Sequence, residues 1–180
     1  MGNASVIAHM NGNPRELNQS ASSTTERFFT TDGTVPVYCP LPTAAQLGGP
    51  NRGAMFRVRA YGTVSTAASL TYRTRLYYGT SITAADNTLI VDSGAVTVAT
   101  TTTNWMTEAT ICWDGNSNIM NGRGWASIAN TTSGAATGLF NAVTSADPDA
   151  DATRGFIMSA EYGTGNVGNT ARLLGIDIVL

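Results

Sequence analysis

Two runs of alternating apolar and polar residues lie near the middle of the chain, separated by a short Ser/Thr/Ala segment. In the first run, Phe56, Val58 and Ala60 alternate with arginine and tyrosine. In the second run, the residues that share one face are Leu70, Tyr72, Thr74, Leu76 and Tyr78. A period of two residues is typical of β-strands that bury one face. The pattern therefore predicts two strands with an apolar side for the core and an outer side rich in arginine and tyrosine.

Similar short runs recur along the chain, and none of them has the period and length of a long helix. The candidate strands are residues 34–39, the pair between about 54 and 79, and residues 89–99, 105–114, 119–129, 154–162 and 171–180. Gly94 is expected to mark a bend or bulge within its run. Eight short strands separated by turn signals are typical of a sandwich or barrel. We therefore predict an all-β fold, a single eight-stranded jelly-roll-like β-sandwich.

The first thirty residues have no sustained period, and two interpretations of them stay open. The segment is either a frayed terminus or an extended arm that becomes ordered against a neighbouring molecule. The apolar residues that favour an arm, because a plain linker would not need them, are Val6, Ile7, Met10 and Leu17. We predict an N-terminal arm over residues 1–30 and a sandwich domain over residues 31–180.

Residues 130–151 form the longest weakly patterned segment, rich in glycine, alanine, serine and threonine. A loop of this length is usually functional, mobile or in contact with a partner. It ends in a cluster with an acidic residue at every second position, residues 147–151, which resembles the start of a calcium loop. Ala152 and Met158 stand where that loop needs glycine and glutamate. A solvated acidic turn is therefore favoured over a calcium site.

Charged residues make up only 12% of the 180 residues, about half the usual share. All ten basic residues are arginine. Arginine and tyrosine are enriched at contact surfaces and lysine is depleted there, although compositional drift in the source genome is an equally open explanation. The formal net charge is −2 and no basic tract runs along the chain, so nucleic-acid binding is not expected.

The two cysteines, Cys39 and Cys112, are too few for a disulfide scaffold, and free, mostly buried thiols are expected. The N-terminal residues lack a charged region followed by an apolar run, so no signal peptide is predicted. No stretch approaches the roughly 20 apolar residues of a membrane helix. We expect a soluble protein made in a cytoplasm, with no membrane partner.

The usual catalytic and metal-binding residue sets are missing from the sequence. A Ser/His or Cys/His pair would have to use His9, the single histidine, which lies in the predicted arm. One histidine and two cysteines do not suffice for the common zinc sites, and a phosphate-binding loop would need a lysine. We therefore predict no enzyme activity, no cofactor and no metal.

The outer faces of the two central runs supply the main candidate contact residues. The set comprises Arg57, Arg59, Arg73 and Arg75 together with Tyr61 and Tyr77. If the two strands pair with each other, the four guanidinium groups share one sheet face and need carboxylates, carbonyls or a neighbouring subunit. If the strands lie in different sheets, the cluster does not exist. The sequence leaves both arrangements open, as it leaves open a purely solvated face.

Three tryptophans, Trp105, Trp113 and Trp125, are the remaining candidates for a binding surface. Together they have the chemistry of a sugar-stacking platform. Burial in the core is the more common fate of tryptophans in alternating strands and is the favoured interpretation.

A longer pattern is carried by residues 56–64 (Phe-Arg-Val-Arg-Ala-Tyr-Gly-Thr-Val), 70–76, 91–96, Asn104-Trp105, 108–111, 160–162 and 174–178. In this order the segments resemble a module of tailed-bacteriophage virion proteins, found among capsid decoration (cement) proteins and fibre-like structural proteins. The resemblance covers about residues 50–180. Its motifs are structural patterns without a catalytic signature, so no functional residue is transferred. It implies a jelly-roll sandwich that self-associates and coats or extends a virion.

The first hypothesis that follows is a phage capsid decoration protein that binds the shell of major capsid protein and stabilises the virion. Such a protein would be a homo-oligomer, a trimer in preference to a dimer, on the capsid exterior after synthesis in the host cytoplasm. The alternative is a tail or head fibre protein that binds a host-surface glycan through exposed tryptophan and tyrosine. A third hypothesis, a glycan-active enzyme, needs two facing carboxylates, and nothing in the sequence selects such a pair.

Overall fold

Two antiparallel β-sheets pack face to face in the computed structural model of the chain. The structure describes residues 24–30, 35–41, 43, 53–98, 100–114, 119–129 and 154–180, and it describes residues 6–9, 16–18 and 136–139 for their backbone alone. The strands are β1 Val6–His9, β2 Glu16–Asn18, β3 Arg27–Phe28, β4 Tyr38–Pro40, β5 Gly53–Ser65, β6 Leu70–Gly79, β7 Thr88–Asp92, β8 Val96–Val98, β9 Thr103–Asp114, β10 Ile119–Ile128, β11 Ala136–Leu139, β12 Gly155–Tyr162 and β13 Thr170–Val179. One 3₁₀ turn spans Ala84–Asp86. The predicted class, an all-β sandwich of two packed sheets, is confirmed.

The seven-stranded sheet has the order β1-β13-β5-β9-β10-β11, and β2 also pairs with β13. The six-stranded sheet has the order β3-β12-β6-β7, with β4 on β12 and β8 on β6. Most sheet neighbours come from distant parts of the chain, because consecutive strands often lie in opposite sheets. The two longest strands, β5 and β9, pair over their full length in the middle of the seven-stranded sheet.

The core lies between the sheets and is built by the predicted alternation. Along β9 every second residue from Thr103 to Trp113 is buried, and the residues between them face outward. Phe56 and Phe156 meet across this core from opposite sheets, with ring centroids 6.3 Å apart, and Tyr72 and Tyr162 lie side by side on neighbouring strands of the six-stranded sheet, 5.3 Å apart. Burying one such side chain contributes about 1.5–3 kcal/mol, so the interleaved inner faces fix the register of both sheets.

The two central alternating runs do not form a hairpin, which corrects one of the two predicted arrangements. After β5 the chain turns at buried Thr66 and crosses to the six-stranded sheet, where β6 pairs with β12. The crossing is held by Asn169, whose side-chain oxygen accepts a hydrogen bond from the Ala67 N–H at 3.1 Å. The four arginines therefore lie on two different sheets, and the single cluster does not exist.

The described residues contain thirteen strand segments instead of eight, for reasons that are local. Gly94 has a φ of +66° and separates β7 from β8, which confirms the predicted bend. The segment 130–151, expected to be loop, contains β11, paired with β10. The remaining additions are short strands near the N-terminus, where the alternation is too brief to recognise.

Parts of the predicted arm belong to the sheets. Strands β1 and β2 both pair with β13, and they contain three of the four proposed anchors, Val6, Ile7 and Leu17. Met10 lies outside the described residues. The division into an arm of residues 1–30 and a sandwich of residues 31–180 stays a prediction. Within the described part of the chain, no helix is long and apolar enough to cross a membrane.

Candidate binding face

A groove of about 420 Å³ lies on the outer face of the seven-stranded sheet. Four strands supply its walls, β13, β5, β9 and β10. The lining residues are Tyr61, Gly62, Asn104, Trp105, Met106, Trp125, Ser127, Ala129 and Leu174. Most of this lining is aromatic or aliphatic, with an amide and a hydroxyl among it. A concave, largely apolar site with a few polar groups is the usual form of a small-ligand pocket.

Strand register brings the lining side chains together from distant parts of the sequence. Tyr61 on β5 pairs with Met106 on β9, which pairs with Ser127 on β10. On β13 the register shifts between Leu173 and Gly175, and this bulge places Leu174 and Gly175 in succession beside Tyr61. Strand periodicity turns one face of each strand to solvent, so apolar side chains at these positions form an exposed strip.

The strip is unusually apolar for an outer sheet face. The exposed fractions are 38% for Tyr61, 37% for Met106 and 43% for Leu174, and Trp125 beside them is partly buried. Single exposed hydrophobic residues are ordinary, but a contiguous group often marks a binding site.

Tyr61 is held in place by two residues of β13. A Cβ atom at Gly175 would lie 2.5 Å from the Tyr61 Oη and 2.6 Å from its Cζ, so the ring rests directly on the glycine backbone. The phenol also hydrogen-bonds to Asp177. Partial burial raises the pKa of Tyr61, and the charge and hydrogen bond of Asp177 raise it further. Gly175 and Asp177 therefore hold the ring against the sheet.

Polar groups border the groove on the next row of the sheet. Arg59 Nε lies 2.7 Å from Glu108 Oε2, in an ion pair between β5 and β9. Glu108 pairs in register with Trp125, and Arg59 pairs with Asp177. The charged row thus runs alongside the apolar strip. In this row the guanidinium of Arg59 is paired with the carboxylate of Glu108 on the same face.

The tryptophans divide between core and surface. Trp105 and Trp113 are 2% and 3% exposed, and the Trp105 indole donates a hydrogen bond to the Thr63 carbonyl at 3.2 Å. Trp125 alone of the three faces the outer side. The sequence had indicated no face for Trp125, and it gave no sign of the contributions of Met106 and Leu174, since these residues become neighbours only through strand order.

The other two candidate arginines form an ion-pair network on the outer face of the six-stranded sheet. Arg75 Nη2 lies 2.6 Å from Glu161 Oε2, and its Nη1 lies 2.9 Å from Glu26 Oε2 at an angle unsuited to a hydrogen bond. Its Nε lies 3.3 Å from Asp92 Oδ2, and both oxygens of Asp92 also accept hydrogen bonds from Arg73.

Burial opposes ionisation of Asp92, but hydrogen bonds from Arg73 and from the Gly94 N–H, together with two guanidinium charges, lower its pKa below the ordinary value. Asp92 therefore stays ionised at neutral pH, and the network ties β6 to β7 and to the N-terminal segment.

The same network leaves little of two predicted contact residues accessible. Arg75 and Tyr77 are 8% and 5% exposed, and the Tyr77 hydroxyl donates to Glu26 at 2.9 Å. Of the predicted set, Arg57, Arg59 and Tyr61 keep more exposure, on the other sheet. The role of these residues in a subunit contact stays a prediction.

The remaining candidates bear on chemistry other than binding. Within the described ranges no three His, Cys, Asp or Glu side chains gather as metal ligands. The side chain of His9 and the acidic residues 147–151 lie outside what is described.

Both cysteines are free; Cys39 is buried, and burial raises its pKa. Cys112 is exposed, contrary to expectation, because it lies on the outer face of β9 between two inward-facing residues.

Comparison with known proteins gives structural likenesses without a family. No protein-family model and no curated protein sequence matches the chain. A carbohydrate-binding (CBM2) module of the evolved Dit of Lactobacillus casei BL23 phage J-1 aligns over 98% of this chain and 95% of its own, at 10% identity and a TM-score of 0.36. Lectin I of Ulex europaeus, solved with the methyl glycoside of α-L-fucose, aligns over 93% and 98%, at 7% identity and 0.31. TM-scores below 0.5 do not establish a common fold, so the assignment of this chain rests on its own geometry.

Proposed function

We propose that the chain is a non-catalytic carbohydrate-binding sandwich, and that the groove on the seven-stranded sheet takes a pyranose ring. The single observation that carries this proposal is the exposed Tyr61 ring, fixed on Gly175 and bordering an apolar groove with Trp125. A pyranose has a face of C–H groups and a rim of hydroxyls. Such a ring fits an aromatic surface, while neighbouring polar groups pair with its hydroxyls.

The polar groups for the sugar rim are available in the right place. Asn104 supplies an amide with both donors and an acceptor, and Ser127 supplies a hydroxyl. Both belong to the groove lining, next to the aromatic rings. An entirely hydrophobic partner would leave these groups without partners on binding, which costs affinity. Their presence favours an amphipathic ligand such as a sugar.

We place this module in a phage tail or head fibre protein that binds a host-surface glycan. The placement rests on the family resemblance of residues 50–180, and the groove favours it over the capsid decoration hypothesis. Decoration of the shell, binding to the major capsid protein, trimer formation and the virion exterior as location stay predictions.

The test is a glycan array followed by calorimetry on the best ligand. The variants Trp125→Ala and Tyr61→Ala are expected to weaken binding at least tenfold each, about 1.4 kcal/mol. Met55→Ala is the matched control, because Met55 is 66% exposed near the start of the same strand, six residues from Tyr61 and outside the groove lining. The proposal fails if no glycan binds, or if the groove variants bind as tightly as the control.

A further inference from the structure

The groove carries no charged residue in its lining, and this bears on which glycans it can take. The inference rests on the proposed function, since it concerns the ligand of the same site. All nine lining residues, the Tyr61 phenol included, are uncharged at neutral pH. Binding at the lining itself therefore offers an anionic sugar no guanidinium to pair with.

The row of charged residues beside the lining, Asp177, Arg59 and Glu108, has two carboxylates and one guanidinium. Asp177 contacts Tyr61 directly, and Glu108 pairs in register with Trp125. The cation between them, Arg59, is bound to Glu108 at 2.7 Å. The formal charge of this row of three is −1. Arg172, the next cation along β13, pairs in register with Thr63 and is farther along the sheet than Asp177, which pairs with Arg59.

We propose that the groove selects uncharged pyranosides and rejects anionic ones, and that Asp177 is the residue responsible for the rejection. A carboxylate on the ligand, as in a sialic or uronic acid, would be brought close to Asp177, whose neighbouring cation Arg59 is already paired with Glu108. Like charges a few ångströms apart at a protein surface repel measurably, and salt weakens the repulsion. A neutral sugar has no such cost.

Asp177 also positions the stacking ring, and the two roles are separable by a conservative substitution. Asp177→Asn removes the negative charge but keeps a side-chain oxygen that accepts the hydrogen bond from the Tyr61 phenol. The variant should thus retain affinity for neutral sugars and lose discrimination against anionic ones. A merely structural role for Asp177 would affect both classes of ligand alike.

The experiment measures binding of the full chain to matched pairs of glycans at low salt. The pairs are lactose and 3′-sialyllactose, glucan and glucuronan oligosaccharides, and mannan and mannuronate oligosaccharides. We expect the neutral member of the pair that binds to be preferred at least tenfold. Asp177→Asn should reduce that preference about three- to tenfold, and added salt should reduce it in the parent chain.

Asp114→Asn is the control, because Asp114 is an exposed carboxylate on the same sheet, eight residues along β9 from Met106. That separation is roughly 26 Å at about 3.3 Å per residue, so removal of the Asp114 charge should leave the preference for neutral sugars unchanged.

Equal or tighter binding of the anionic members by the parent chain overturns the neutral preference while leaving the carbohydrate site standing. A preference that does not respond to Asp177→Asn overturns the role of Asp177. No binding of any member contradicts the carbohydrate site itself, and this inference with it.

Discussion

The Tyr61 ring is exposed to solvent and at the same time held in place, which suits it to stacking against a sugar ring. A flexible exposed aromatic ring loses rotamer freedom when a ligand binds, whereas a ring already held by its neighbours does not. Gly175 supports the ring from below and Asp177 holds its hydroxyl. The absence of a side chain at residue 175 is what allows the ring to lie against the sheet.

The first prediction separates the parts of this arrangement. Tyr61→Phe keeps the ring and should lower glycan affinity less than threefold, whereas Tyr61→Ala should lower it at least tenfold. Gly175→Ala should also lower it several-fold, because the new methyl group displaces the ring. The atoms nearest to the new methyl group are the outer atoms of the Tyr61 side chain, not backbone atoms of another strand. The melting temperature of Gly175→Ala should therefore stay within a few degrees of that of the parent. Calorimetric titration and thermal melts check these values, and equal affinities for all three variants would contradict the stacking role.

The sequence pattern predicted Tyr61 as an outward-facing contact residue, whereas core burial was favoured for Trp125, which lies on the outer face. Alternation placed Tyr61 on an outer face, because the period of a strand is short and local. Leu174 and Gly175 owe their positions to a bulge between β13 and β5, and a bulge depends on the partner strand. No pattern within β13 alone indicates it.

Among the elements, the N-terminal segment is held to the six-stranded sheet chiefly by Glu26. Its carboxylate lies 2.9 Å from Arg75 and accepts hydrogen bonds from the hydroxyls of Tyr77 and Ser159. Phe28 packs on Tyr77, with ring centroids 5.3 Å apart. One carboxylate thus supports a segment that contributes β3.

The second prediction concerns this anchor. Glu26→Gln should lower the free energy of unfolding by about 1–3 kcal/mol, because buried Arg75 loses one of its carboxylates while its other partners remain. Asp86→Asn, at an exposed carboxylate of the 3₁₀ turn, should change it by less than about 0.5 kcal/mol. Urea denaturation measures both. A Glu26 variant as stable as the Asp86 control would show that the network contributes nothing to the fold.

The third prediction tests how closely the sheets approach each other. A Cβ atom at Gly124 on β10 would overlap the side chain of Val91 on β7, across the core. Gly124→Ala should therefore destabilise the protein by about 1–3 kcal/mol through overpacking. Val91→Ala removes the obstructing methyl groups, so the double variant should be more stable than the sum of the single effects predicts. Additive effects in denaturant titrations would contradict this contact.

Element boundaries were predictable where strands are long and alternate well, as in β9 and β13. The assignment of strands to sheets was not, because β5 and β6 have the pattern of a hairpin and lie in different sheets. The sheet that a strand joins depends on contacts with residues far away in the sequence. The alternation of apolar and polar residues within one strand carries no information about those contacts. The short strands β1 to β3 are too brief for any period to be recognised, and only β4 overlaps a predicted strand.

For the molecule as a whole, buried phenols set the response to alkaline pH. Burial raises the pKa of Tyr72 and of Tyr77, in the latter case with further contributions from Glu26. In the unfolded chain these groups lose their protons near pH 10, while in the folded chain they keep them. Unfolding therefore releases protons above that pH, and the free energy of unfolding is expected to fall as pH rises beyond about 10.

The fourth prediction assigns part of that fall to one residue. Among the described residues, the Tyr72 hydroxyl is buried without a hydrogen-bond partner. Tyr72→Phe should therefore be neutral or stabilising at pH 7 and should flatten the alkaline fall. Tyr77→Phe should flatten it too, but it should destabilise at pH 7 because the bond to Glu26 is lost. Denaturant titrations from pH 7 to 11 distinguish them, and identical profiles for parent and Tyr72→Phe would refute the assignment.

Binding of a glycan in the groove on the seven-stranded sheet can be followed through the indole N–H signals of the three tryptophans. Trp125 lines the groove on its open side, Trp105 lies beneath it, and Trp113 is buried at the far end of β9. In a ¹⁵N–¹H titration with the glycan that binds best, the Trp125 signal should shift most, Trp105 less, and Trp113 should not move. A saturating glycan that shifts Trp113 alone, or shifts none of the three, would contradict the proposed site.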